Sequence, residues 1–131
     1  MRVLQPAHWR RPCGYANGIS GDGRVVFVSG QIGWDAEGRI VSDDLAEQVA
    51  QALRNIVTVL AEAGAGPEHI ARLTWYLTDK RAYLEAREAV GEAYRGVMGR
   101  HFPAMSVVEV TSLMEDGAKV EIEATALVPA A

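Results

Sequence analysis

The sequence predicts an α+β fold with the order β-β-α-β-α-β-β, in which the helices pack on one face of a mixed or mainly antiparallel sheet. Three observations carry this expectation. Two long segments repeat apolar residues at helical spacing, several short segments are β-branched or alternate with period two, and the two kinds follow one another without a linker or internal repeat. At 131 residues, with 49% hydrophobic and 23% charged side chains, residues 1–131 form one domain able to bury a core without staples.

The first strands are read at Tyr15 to Ile19 and at Val25-Val26-Phe27-Val28. Ser20-Gly21-Asp22-Gly23 lies between them as a turn, so the pair predicts a β-hairpin. Asp44 followed three residues later by Glu47 marks a helix start, and Leu45, Val49, Leu53, Ile56 and Leu60 then recur on one face until Gly64 and Pro67 stop it. From Ile70 to Thr78 the period drops to two, with Leu73, Trp75 and Leu77 opposite Arg72, Thr74, Tyr76 and Thr78.

A second helix is predicted from Arg81 to Met98, burying Tyr83, Ala86, Val90, Tyr94 and Val97 and ending at Gly99; Gly91 inside it is a mild penalty. Strands at Ala104 to Thr111 and Lys119 to Leu127 complete the chain. In the last, Val120, Ile122, Ala124 and Ala126 face the helices. In the one before, both rows carry apolar groups, so the sheet needs a cover on its other face as well, and a second subunit supplies the simplest one.

Composition narrows the function classes. Cys13 is the only cysteine, which removes an intrachain disulfide and the cysteine-rich zinc sites. His8, His69 and His101 are too scattered for a helical or hairpin metal site, so neither metal nor cofactor is expected. The net charge of −4 speaks against a nucleic-acid partner. No segment has the length and apolarity of a signal-peptide core or a membrane span, and the expectation is a cytoplasmic protein.

Four stretches in order resemble the successive signatures of the Rid/YjgF family of reactive-intermediate deaminases: Ser29-Gly30-Gln31-Ile32-Gly33, Val59-Leu60-Ala61-Glu62-Ala63-Gly64, Phe102-Pro103-Ala104-Met105-Ser106-Val107-Val108-Glu109-Val110 and Val120-Glu121-Ile122-Glu123-Ala124. The resemblance spans roughly residues 13 to 128, and its specificity lies in the ordered set. It implies a chorismate-mutase-like subunit, a homotrimer with a barrel-like centre, ligand clefts between subunits, and cofactor-free hydrolysis of imines or enamines to a 2-oxo acid and ammonia.

The resemblance also assigns residues. Tyr15 matches the tyrosine that reaches the cleft, Gly30 the glycine whose backbone amide meets the ligand, and Glu121 the carboxylate that positions water, which would act as general base if burial raises its pKa. In active members an arginine of a Pro-Ala-Arg-Ser segment grips the substrate carboxylate; here the segment reads Pro103-Ala104-Met105-Ser106. A thioether has no charge and donates no hydrogen bond, so ordinary 2-imino acids become poor substrates. Val107 stands where many members have cysteine, and Glu88 where an asparagine commonly helps the ligand.

On its residues alone each position has a plainer reading: Glu121 as a solvated strand carboxylate, Met105 as packing, Tyr15 as a hairpin aromatic, Gly30 as a bulge. Two functions remain open. One is an enzyme acting on a C–N substrate other than ordinary 2-imino acids; the other is a non-catalytic protein that holds a small metabolite. Ribonuclease or translation-inhibitor activity, which some family members are said to have, fits the acidic balance poorly.

Overall fold

The computed structural model describes residues 1–130. Its strands are β1 (Arg2–Leu4), β2 (Gly18–Ser20), β3 (Arg24–Gln31), β4 (Ile70–Leu77), β5 (Ala104–Glu109) and β6 (Val120–Val128). Its α-helices are α1 (Leu45–Glu62), α2 (Lys80–Glu85) and α3 (Arg87–Met98), with a short 3₁₀ turn at Pro67–His69. The main sheet has the order β3-β6-β4-β5 and is mixed: β4 and β5 run parallel, the other pairs antiparallel. Parallel strands cannot be joined by a tight turn, and the chain returns from β4 to β5 through α2 and α3. The predicted α+β class and mixed sheet are observed.

The predicted hairpin is not. Gly18–Ser20 pairs with β1, a strand the sequence reading did not find, with Val3 opposite Ile19, and the two form a separate small sheet. Gly23 turns the chain away. Its φ of +133° is open only to glycine, and a Cβ there would stand 2.8 Å from the Val128 carbonyl carbon, so the backbone passes directly onto β6. There β3 pairs from Arg24↔Val128 to Gln31↔Ile122, with an irregularity between Val28 and Gln31.

Helix α1 starts where Asp44 accepts a 3.0 Å hydrogen bond from the Glu47 amide, and ends before Gly64 at φ +69°. Its stripe of Val49, Ala52, Leu53, Ile56 and Leu60 is fully buried against Leu73, Ile122 and their neighbours. Each large aliphatic chain in that set contributes roughly 1.5–3 kcal/mol. The buried row of β6 is Val120, Ile122, Ala124, Ala126 and Val128, as its alternation requires.

The second helix is broken rather than continuous. Asp79 caps it by accepting from the Ala82 amide, so it begins at Lys80, and Ala86 interrupts it at φ −98°, ψ 12°. The Ala86 amide bonds back to Ala82 and Tyr83 while its carbonyl accepts from Val90, so the same residue closes α2 and opens α3. The bend keeps Tyr83 and Tyr94 both on Trp75, at ring separations of 6.4 and 6.2 Å.

The sheet face turned away from α1 and α3 is uncovered in the protomer. Val25, Phe27 and Val108 lie on it, and Phe27 is 78% exposed.

Candidate functional site

Two places in the protomer concentrate the residues singled out above, and they lie on opposite faces of the sheet. Met105 pairs with Leu73 and Val107 with Trp75 in the β4–β5 ladder, which puts both on the helix-covered face at the sheet edge. Glu121 pairs with Tyr76 and belongs to the open face.

On the helix side a cavity of about 540 Å³ opens beside β5. Met105 and Val107 lie along it, and Tyr15 closes one side with Cys13 and Gly14. The N-terminal segment is held there by local pairing: the Ala16 amide donates to the Pro103 carbonyl at 3.0 Å, and Ala16 forms a parallel bridge with Ala104. Trp75, Tyr83, Tyr94 and Phe102 give the cavity an aromatic interior, with Tyr94 and Phe102 stacked at 5.4 Å. Burial pushes the phenols of Tyr83 and Tyr94 upward, so both stay neutral. The Tyr94 hydroxyl is already committed to the His101 carbonyl at 2.5 Å.

The cavity does contain guanidinium groups. Arg87 and Arg95 line it from α3, although Met105 stands where active members have the β5 arginine. Glu88 does not join them. It is exposed and outside the cavity lining, since it follows Arg87 and points a step further around the helix. The sequence held the missing signal: Arg87, Gly91 and Arg95 recur every four residues and so share one ridge of α3.

On the open face, Glu121 and Gly30 are pressed together. A Cβ at Gly30 would stand 2.7 Å from the Glu121 carboxyl carbon, so glycine is what lets the carboxylate lie over β3 beside the irregularity in the β3–β6 ladder. Glu121 is half-buried and has no hydrogen-bond or ion-pair partner among the described residues. Tyr76, which sequence reasoning placed only on a strand row, stands beside it and donates to Glu123 at 2.7 Å. That hydrogen bond, together with partial desolvation and the nearby carboxylates, raises the Tyr76 phenol above its ordinary range. Glu123 is thereby occupied, whereas Glu121 accepts no hydrogen bond from the described residues.

The structure therefore brings Tyr15, Met105 and Val107 into one cavity and Gly30 and Glu121 into another locus, and within one protomer the two do not meet. Among the described residues no group of three or more His, Cys, Asp or Glu is placed to hold a metal ion, and no helix is long and apolar enough to cross a membrane.

A family model described as Endoribonuclease L-PSP matches residues 10–128. The human 2-iminobutanoate/2-iminopropanoate deaminase is 34% identical over 105 residues, covering 79% of this chain and 73% of that protein. A RutC family protein of Pyrococcus abyssi is 37% identical over 105 residues, covering 79% of each. Among solved structures, YyfB of the conserved Rid protein family from Yersinia pestis superposes with a TM-score of 0.85 at 32% identity, covering 97% of this chain and 98% of that one.

Proposed function

Since the chain belongs to the Rid/YjgF family, we propose that it hydrolyses a small imine or enamine bulkier than the ordinary short 2-imino acids, in clefts completed by a neighbouring subunit. The observation that carries this reading is the carboxylate of Glu121, half-buried over Gly30 with no partner of its own. A carboxylate so placed orients water toward an electrophilic carbon and accepts its proton. The water oxygen bonds to the C=N carbon, the nitrogen takes up protons, and the C–N bond breaks to leave a carbonyl compound and ammonia. Nothing in that sequence requires a metal or cofactor.

The clefts lie between subunits because the two loci need each other. Tyr15, Met105 and Val107 form an apolar and aromatic wall, and Glu121 with Gly30 forms a wall that carries the water. They sit on opposite sheet faces, so a second copy packed on the open face of β3 and β6 is what unites them. The exposed Val25, Phe27 and Val108 on that face favour such packing, in a trimer as the family implies.

Met105 favours a second reading, a binding protein without turnover, because the β5 arginine of active members is replaced. One experiment separates the two. Ammonia release is followed from imines generated freshly from a series of amino acids, for the native protein and Glu121→Gln. The enzyme reading predicts acceleration strongest for bulky side chains and lowered about 10²- to 10⁴-fold in the variant. Equal rates for native protein, variant and buffer would leave only the binding protein.

A further inference from the structure

We propose that the cavity beneath α3 binds an aromatic carboxylate, its ring among the aromatic side chains and its carboxylate held by Arg87 and Arg95. This deepens the proposed function by naming the ligand class, and rests on it only for the view that the cavity is one wall of the reacting cleft.

Charge is the first argument. The chain carries 17 acidic against 13 basic side chains, yet the cavity lining contains two arginines and no carboxylate. The ion pairs among the described residues are Arg39–Glu37, His69–Glu68 and Lys119–Asp43, so within the protomer neither Arg87 nor Arg95 is paired with a carboxylate. Arg87 opens α3, where the helix dipole disfavours a cation, so local helix energetics do not account for it.

Shape is the second. Arg87, Gly91 and Arg95 follow one another at intervals of four, on one side of the helix. Gly91 lies inside α3, where glycine is unfavourable, and a Cβ there would come within 3.1 Å of Arg95 Nη1. The glycine leaves room for the Arg95 guanidinium to lie back along the helix toward Arg87. Two forked donors on one ridge suit the two oxygens of a carboxylate.

The third argument is an orphan. Trp75 is 97% buried, since only 3% of its surface is exposed, and its indole N–H has no hydrogen-bond partner among the described residues, although its ring forms part of the cavity wall. Buried donors are nearly always paired, so an unpaired one within a residue of the cavity wall gives that wall a polarity that its apolar lining would not otherwise have. The remaining surface is apolar and aromatic, from Tyr15, Tyr83, Tyr94, Phe102 and Met105. At about 540 Å³ the space is in the range that accepts a ring-bearing molecule rather than a three-carbon acid. Met105 then has a role: it replaces a charged side chain by a polarisable apolar one where a ring must lie.

The test is calorimetric titration of the intact protein with phenylacetate, its neutral counterpart phenylacetamide, and acetate. Phenylacetate should bind at least about tenfold more tightly than either, and Arg87→Gln and Arg95→Gln should each weaken it by about tenfold or more. Arg95→Lys should retain part of the affinity, and the Trp75 indole N–H resonance should shift on saturation. Equal affinity for phenylacetate and phenylacetamide, no phenylacetate binding, or unchanged binding in both glutamine variants with native melting curves would overturn the proposal. Binding retained in the absence of any turnover would overturn the hydrolase reading and leave this one standing.

Discussion

At the scale of single residues, the account depends on what Gly30 and Glu121 do to each other. Any side chain at Gly30 would collide with the Glu121 carboxyl group, so Gly30→Ala should move the carboxylate while leaving the core untouched. We expect a loss of turnover of about 10²-fold, the cost of misplacing a positioned group by about an ångström. A melting curve close to native should accompany it. Tyr76 supplies a residue-scale prediction in pH. Its folded-state pKa is raised, chiefly by the bond to Glu123. The stability contributed by that bond is therefore complete below pH ~10 and lost as pH rises through the higher folded value. Spectroscopic titration should show Glu123→Gln bringing the Tyr76 phenol back toward its ordinary value, with Tyr76→Phe identifying the signal. The motifs fixed where Met105 and Glu121 lie along the chain, and the strand register puts them on opposite faces of the sheet. Positions that only the fold decides were not legible: Glu88 and Arg87 are neighbours in sequence and both are exposed, yet only Arg87 joins the cavity lining.

At the scale of elements, period and capping located α1, β4 and β6 because each buries one regular face against the core. The hairpin failed because pairing partners are chosen by the whole sheet. Turn residues between two strand-like segments report a change of direction, which here carries β3 to β6 while β2 turns to β1. The start of α1 is fastened to the β5–β6 loop by Gln48, which is fully buried. It donates to the carbonyls of Ser42 and Gly117 at 2.8 and 2.9 Å and accepts from the Lys119 amide at 2.8 Å. Replacing it by leucine would remove the partner of three part-buried backbone groups, and Gln48→Leu should lower stability by about 3 kcal/mol, read from urea unfolding. In α3 the sign reverses. Gly91→Ala should stabilise the helix by up to about 1 kcal/mol while weakening binding of an anionic ligand through Arg95, a trade visible by combining melting with titration.

At the scale of the whole molecule, the sequence already showed that both faces of the sheet need covering, because β5 carries apolar groups on both rows. It could not show that the candidate site is split between those faces, which follows from the register of β4 with β5 and β6. Phe27→Glu, placing a charge on the uncovered face, should lower the mass seen in sedimentation and abolish turnover together. The most direct measurement of the divided site uses two inactive parents, Glu121→Gln and Val107→Trp, the second filling the cavity from the sheet edge. Coexpressed in mixed assemblies, the two should restore hydrolysis, since some clefts then combine an intact Glu121 wall from one subunit with an intact Val107 wall from another. Mixed assemblies no more active than either parent would contradict a cleft shared between subunits.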